Sequence, residues 1–360
     1  AMGIPVADPT AYPERPTYNR ANTEAALHGL SAKGYPLGLT NALRSSLEVF
    51  PLRIWIVDNS GSMQSSDGNR FVKDHRGAYK KVTTTRWSEL GDVVLGIGEL
   101  TTALGVRTDF HLLNPPFSAG ATQFVSVGPS DAAGKSAPPP AGPSATLEQL
   151  KHVMASSPSG TTPLDASVHR ICDMIEPKAE KLRASGQRVV VVIATDGLPN
   201  DRSRFISSMQ RLQSLPVWTV VRLCTDDDDI TEFYSGLDAN LEAPLEVLDD
   251  ICGEAQEVSK VNNFLVYGPQ LHQLREWGLH ERLFDTLDER RMLPSQVKQF
   301  VELVLGCKPL PDPDADPDRF VSAVDEALRM SPLTFDPLKL RDAPWFDLGR
   351  LRKHLGGGGG

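Results

Sequence analysis

The chain has 360 residues, of which 40% are hydrophobic and 23% are charged, a composition typical of a soluble globular protein. The formal net charge of −9 argues against a nucleic-acid-binding protein that depends on bulk positive charge. No apolar run approaches the about 20 residues of a membrane helix, and the start lacks the basic and apolar regions of a signal peptide. We therefore expect a cytoplasmic protein without a membrane span.

The two ends of the chain are predicted to lie outside the folded core. Residues 1–39 are expected to be an irregular segment, because residues 4–36 are rich in Pro, Tyr and small polar residues. The run Gly356 to Gly360 resembles an added linker, and we exclude it from the fold argument.

Residues 40–258 alternate between two hydrophobic patterns. Short apolar runs rich in β-branched and aromatic residues predict strands over 53–57, 108–113, 122–127, 189–193 and 217–221. Segments with helical spacing predict helices over 40–50, 90–104, 146–155, 164–184 and 203–214. Residues 63–87 predict a hairpin-like insertion, and the Pro- and Gly-rich residues 128–146 predict a loop. This alternation predicts an α/β fold, a doubly wound, mostly parallel sheet flanked by helices.

The strand pattern stops at about residue 260. Short helices separated by Pro and Gly are predicted over 269–277, 279–290, 294–306 and 317–330. We therefore expect an α/β domain over 40–258 and a small helical accessory module over 259–355.

Oxygen-bearing side chains follow two of the apolar strands. Asp58, Ser60 and Ser62 come directly after the first strand, and Asp196 follows the run at 189–193. In an open parallel sheet, ligands bind outside the carboxyl ends of the strands, where the strand order reverses. Carboxylate and hydroxyl oxygens suit Mg²⁺ or Mn²⁺, with Ca²⁺ as an alternative, and do not suit a soft thiolate site.

These residues, in this order, resemble the metal-ion-dependent adhesion site of the von Willebrand factor A family. That family has Asp-x-Ser-x-Ser after its first strand, a threonine in a mid-domain loop, and an aspartate after its fourth strand. Asp58, Ser60, Ser62 and Asp196 match the first and last elements, and the resemblance covers roughly residues 50–250. It implies that the fold is that of the family and that these side chains bind a divalent cation.

The threonine ligand has two candidates in the segment Gly160-Thr161-Thr162-Pro163-Leu164. The family often has Gly-Gly-Thr-Pro-Leu here. Alignment on Pro-Leu selects Thr162, which we favour, whereas alignment on the residue after Gly selects Thr161. The insertion at 63–87 departs from the shortest family members and is expected to lie beside the metal.

The resemblance implies a non-enzymatic protein-binding module. Because Mg²⁺ takes six oxygens and keeps some water, we expect an open position that a partner protein fills with an Asp, Glu or C-terminal carboxylate. Two alternatives remain: a metal-dependent phosphoryl hydrolase with Asp58 as nucleophile, and an architectural subunit whose metal is purely structural. Asp226 to Asp229 are expected at the same edge of the sheet, where the last of them cap the following helix; the alternatives are a second cation site or a patch that selects the partner.

Overall fold

The computed structural model describes residues 20–128, 145–241 and 245–356, and these form two compact units. Within the described residues, the first unit comprises 20–24, 47–70 and 83–248, and the second comprises 25–46, 71–82 and 249–356. The predicted boundary at 258/259 therefore differs from the observed one. The C-terminal segment of the second unit begins at Asp249, and this unit also includes two segments from earlier in the chain.

The strands of the described residues are numbered in chain order. They are β1 (Leu52–Val57), β2 (Gly68–Lys73), β3 (Tyr79–Thr84), β4 (Arg107–Leu112), β5 (Phe124–Val127), β6 (Val189–Thr195), β7 (Val217–Leu223), β8 (Glu246–Leu248), β9 (Thr334–Asp336) and β10 (Arg341–Ala343). The helices are α1 (Arg20–Gly29), α2 (Leu37–Val49), α3 (Arg86–Leu104), α4 (Ala145–Met154), α5 (Leu164–Ile175), α6 (Ala179–Ala184), α7 (Arg202–Gln213), α8 (Asp228–Asn240), α9 (Ile251–Val261), α10 (Pro269–Glu276), α11 (Pro294–Leu305), α12 (Pro317–Arg329) and α13 (Leu348–Gly356).

The first unit contains a six-stranded sheet with the order β5-β4-β1-β6-β7-β8. All its strand pairs are parallel except β4 with β5, which is antiparallel. Renumbered within the sheet, this is the doubly wound order 3-2-1-4-5-6, which reverses between β1 and β6. The predicted fold class, a mostly parallel sheet flanked by helices, is confirmed.

The central strands form because their side chains are apolar on both faces of the sheet. Every residue of β1 and β6 is buried, as expected for strands covered by helices on both sides. Ile54 and Ile56 belong to the core that α5 and α7 complete. Trp55, which lies between them, points to the opposite face, where its ring centroid lies 6.2 Å from that of Phe110.

The predicted elements of the first unit occur, with two differences among the described residues. The helix predicted over 164–184 is interrupted by a 3-10 turn at Glu176–Lys178, because Pro177 has no N–H to donate. The short edge strand β8 was not predicted. Of the predicted loop, residues 129–144 lie outside the described residues.

The described part of the N-terminal segment is more ordered than predicted. Residues 1–19 lie outside the described residues, but the expectation of an irregular segment is wrong over 20–33, where α1 is followed by a 3-10 turn at Leu30–Lys33. The sequence RANTEAALHG consists mainly of residues that a helix tolerates, and the Pro-rich composition of 4–36 concealed it.

The second unit is not purely helical. The two-stranded antiparallel sheet β9–β10 contradicts the expectation that strands end near residue 260. The helix predicted over 279–290 is wrong; the regular structure there is a 3-10 turn at Phe284–Thr286. The predicted hairpin insertion forms β2 and β3, and residues 71–82 belong to the second unit. Its Phe71 and Tyr79 rings pack on Phe335, with centroids 4.9 Å and 4.3 Å away.

None of the helices in the described ranges has both the length and the apolar character needed to cross a membrane.

Candidate metal centre

The two carboxylates of the predicted site follow neighbouring parallel strands of the first unit. Val57 at the end of β1 pairs with Ala194 in β6, and the Asp58 N–H donates to the Ala194 carbonyl at 2.9 Å. Asp58 and Asp196 therefore lie at the same edge of the sheet, at the point where the strand order reverses. This is the position at which open α/β sheets bind ligands.

Asp58 is a buried carboxylate that accepts hydrogen bonds on both oxygens. Its exposed fraction is 0%. Oδ1 accepts from the Ser60 N–H at 2.8 Å, and Oδ2 accepts from the Thr195 hydroxyl at 2.6 Å. Burial raises the pKa of Asp58, the bonds from Ser60 and Thr195 oppose this, and repulsion from Asp196 adds to it. A cation placed near both carboxylates would offset the energetic cost of burying their charges and would reduce the repulsion between them.

Serine hydroxyls connect the two strand ends. The Ser60 and Ser62 hydroxyl oxygens lie 3.0 Å apart, and the Ser62 hydroxyl donates to Asp196 Oδ1 at 2.8 Å. Asp196 is 1% exposed, whereas Ser62 is exposed. The structure thus brings Asp58, Ser60, Ser62 and Asp196 together, with Ser62 open to solvent.

The loop with the two threonines is tied to the first strand end. The Ser159 N–H donates to the Asn59 carbonyl at 2.7 Å, and the Gly61 N–H donates to the Gly160 carbonyl at 3.2 Å. Gly160 has a φ of +100°, and a Cβ there would lie 2.5 Å from the Asn114 side-chain oxygen. Only glycine fits this turn, so the position of the loop depends on it.

The two threonine hydroxyls have different surroundings. Thr161 is exposed, and its hydroxyl accepts a hydrogen bond from the Asn200 amide at 3.3 Å. Thr162 is half-buried, and its hydroxyl oxygen lies 3.6 Å from the position that a Cβ would take on Gly197. The Thr162 hydroxyl is therefore adjacent to the residue that follows Asp196, whereas the Thr161 hydroxyl contacts Asn200.

Both ends of the insertion at 63–87 contribute to the site. Arg86 donates from Nη1 to Asp196 Oδ2 at 2.9 Å and from Nε to Asp67 Oδ1 at 2.7 Å, and its Nη2 pairs with Asp67 Oδ2. The Arg86 side chain is 15% exposed and that of Asp196 is 0% exposed. Asp67 is the main cause of a raised pKa of Arg86, and the bond to Arg86 lowers the pKa of Asp67.

Sequence reasoning missed several residues of the site. Thr195, which bonds Asp58, directly precedes Asp196 and could have been found from that position. Asn114 follows β4 at the same edge; its N–H donates to Asn59 Oδ1 at 2.8 Å. No sequence signal identified Arg86, because one arginine in a polar insertion resembles a surface residue.

The donor set matches a small hard cation. Within residues 20–128, 145–241 and 245–356, no three His, Cys, Asp or Glu side chains converge as a ligand cluster, so a metal at this edge would depend on hydroxyl ligands. Two carboxylates and neighbouring hydroxyls are the oxygen ligands that Mg²⁺ and Mn²⁺ take together with water. The residues present therefore fit the cation that the sequence predicts.

One of the four aspartates after β7, Asp227, has a local structural role. Asp227 Oδ1 accepts from the Asp229 N–H at 3.0 Å and from the Ile230 N–H at 3.4 Å, at the start of α8. Asp227 thus has the helix-capping role that was predicted for the last aspartates of this run.

Comparisons with known proteins add little to this geometry. Among solved structures, manganese-loaded TRAP protein of Plasmodium vivax matches at 14% identity with a TM-score of 0.33, over 56% of this chain and 69% of that one. Proximal thread matrix protein 1 from the mussel byssus matches at 17% identity with a TM-score of 0.28, over 48% of this chain and only 38% of that one. No family model and no curated protein matches the chain. Both TM-scores are low, so the fold class rests on the strand order.

Proposed function

We propose that the first unit is a metal-dependent protein-binding module of the von Willebrand factor A type. One observation carries the proposal: two buried carboxylates, Asp58 and Asp196, are joined by serine hydroxyls at the switch point of the sheet. We assign the side chains of Asp58, Ser60, Ser62, Thr162 and Asp196 as the ligands of a bound Mg²⁺ or Mn²⁺.

The charge of this site favours an acidic partner group. Two carboxylates neutralise a divalent cation, and Asp67 neutralises Arg86, so the loaded site is about neutral and can accept one further anion. Mg²⁺ keeps part of its water and so has a position that a ligand can take. A partner carboxylate, from Asp, Glu or a C-terminus, is the hard anionic donor that fits this position.

The geometry gives less support to phosphoryl hydrolysis. Both oxygens of Asp58 already accept hydrogen bonds, from Ser60 and Thr195. A phosphatase that uses a strand-end aspartate as its nucleophile has a second aspartate two positions later as its general acid. Here that residue is Ser60, which cannot act as a general acid or base near neutral pH. A phosphate-release assay on a generic phosphomonoester distinguishes the two functions, and we expect no turnover.

Calorimetric titration with Mn²⁺ tests the metal. We expect one site in the wild type and none in Asp58→Ala, with the fold retained by circular dichroism. Asp173→Ala is the matched control, because Asp173 is exposed and pairs with Arg211 at 2.8 Å, away from the candidate ligands. Equal affinity of the wild type and Asp58→Ala for Mn²⁺ would contradict the proposal.

Affinity capture with and without EDTA tests the partner. We expect to capture a partner protein whose binding is lost in EDTA and in Asp58→Ala. This binding should also require one acidic residue of the partner. Substituting each candidate Asp or Glu of that partner by its amide identifies the residue. A purely structural metal would instead raise the melting temperature without making capture sensitive to any partner carboxylate.

A further inference from the structure

Arg86 already places a positive charge at the candidate metal centre. Its guanidinium donates to Asp196 Oδ2 at 2.9 Å, while the Ser62 hydroxyl donates to Asp196 Oδ1 at 2.8 Å. Both oxygens of this carboxylate are therefore in use. Asp196 is 1% exposed, so its charge would be costly to bury without such donors.

The two donors differ in what they can do when a divalent cation arrives. A serine hydroxyl has lone pairs, so it can turn its hydrogen away and become a metal ligand itself. A guanidinium has five N–H donors and no acceptor, and it remains charged at all accessible pH values. Arg86 can therefore only compete with the metal for Asp196.

Asp67 moderates this competition. The Arg86 guanidinium pairs with both oxygens of Asp67 while it holds Asp196 through one nitrogen. A two-bond pair with a carboxylate fixes the plane of a guanidinium. Asp67, which is exposed, thus weakens the electrostatic attraction between Arg86 and Asp196.

We propose that Arg86 is a built-in cation that competes with the divalent metal for Asp196, and that Asp67 sets the strength of this competition. The inference rests on the proposed function, because it concerns the affinity of the same site. It assigns the insertion at 63–87 a function: its two ends supply the pair that tunes metal binding.

Mn²⁺ titration of four proteins tests the inference. Arg86→Gln should bind Mn²⁺ about tenfold more tightly than the wild type, equivalent to about 1.4 kcal/mol. Asp67→Asn should bind it a few-fold more weakly, because Arg86 then has Asp196 as its remaining acidic partner at the site. The double variant should match Arg86→Gln, since Asp67 acts through Arg86.

The double variant separates competition from simple long-range charge. If each residue acted only through its charge, the two effects would cancel and the double variant would bind like the wild type, which would overturn the inference. Arg70→Gln is the matched control: Arg70 lies in the same insertion and pairs with Asp92. Its substitution should leave the Mn²⁺ affinity unchanged.

Thermal unfolding provides a second measurement. In EDTA, Arg86→Gln should melt at a lower temperature than the wild type, because buried Asp196 loses its cation; in saturating Mn²⁺ the difference should disappear. If Arg86→Gln does not fold, Arg86→Lys should still bind Mn²⁺ more tightly than the wild type, because a single ammonium cannot pair with Asp67 and hold Asp196 as the three guanidinium nitrogens do. Unchanged or weaker Mn²⁺ binding in a folded Arg86 variant would overturn the inference while the proposed function stands. Absence of Mn²⁺ binding in every protein would instead refute the proposed function.

Discussion

Each unit contains a buried cluster of charged side chains, and the two clusters differ in how they are neutralised. In the second unit, Arg275 pairs with Glu254 and donates to the Tyr267 hydroxyl at 2.9 Å. In the first unit, Asp58 and Asp196 repel each other, and Arg86 is shared with exposed Asp67.

This difference separates a structural cluster from a binding site. Glu254 and Arg275 are 2% and 4% exposed and neutralise each other without help from solvent. The cluster at the sheet edge has two buried carboxylates but shares its cation, Arg86, with exposed Asp67, and its Ser62 reaches solvent. Because the residues of this second kind of cluster do not supply enough positive charge for its buried carboxylates, we expect it to bind a metal ion.

Removing one acid from each cluster gives the largest expected effect. Glu254→Gln should lower the free energy of unfolding by about 3–5 kcal/mol, because it breaks a buried ion pair and removes the carboxylate that pairs with Arg275. Asp58→Asn, measured in EDTA, should cost little or should stabilise the fold, since it removes a repulsive buried charge. Urea denaturation measures both.

The control is Glu257→Gln on the same helix as Glu254, because Glu257 is exposed. Its effect should stay within about 0.5 kcal/mol, as for other surface positions. The comparison fails if Asp58→Asn in EDTA destabilises the protein as strongly as Glu254→Gln.

A half-buried histidine, His111, should behave in a third way and stay neutral near neutral pH. Burial lowers the pKa of His111 on β4 to about 4, although Asp109 opposes this. Its Nε2 has no hydrogen-bond partner within the described part of the chain, and its ring centroid lies 4.7 Å from that of Phe124. From about pH 6.5 down to about pH 4, the unfolded chain binds a proton that the native state excludes, so stability falls as the pH falls.

His111→Phe should remove this part of the pH dependence. Between about pH 7 and about pH 5, the wild type should lose about 2 kcal/mol more stability than the variant. Urea denaturation at the two pH values measures the difference, with exposed His169→Gln as the control. Identical pH profiles for the wild type and His111→Phe would show that His111 does not titrate on unfolding.

The fold of the first unit could be predicted because its central strands are continuous apolar runs. The run at 189–193 is too short for a helix and is rich in valine, so it predicts a strand. The strand at 53–57 has the same character. In a parallel sheet, the residues that follow such strands must share an edge. The position of Asp58 and Asp196 therefore followed from local patterns alone.

Other features depend on contacts that no local pattern contains. β9 and β10 have three residues each, too few to show a two-residue period. The bonds from Arg86 to Asp67 and Asp196 join parts of the chain that are far apart in sequence. Thr161 and Thr162 have the same side chain, so the sequence could only rank them by alignment.

The smallest expected effect concerns this pair of threonines. Thr162→Ala should weaken Mn²⁺ binding about fivefold, or about 1 kcal/mol, because its hydroxyl lies beside Gly197 next to Asp196. Thr161→Ala should change the affinity less than about twofold, since its hydroxyl bonds Asn200. Each variant serves as the control for the other, because both remove the same atoms from the same loop. Calorimetric titration of the two measures the order of the effects. A larger loss in Thr161→Ala would make Thr161 the ligand and would mean that the loop turns when the metal binds.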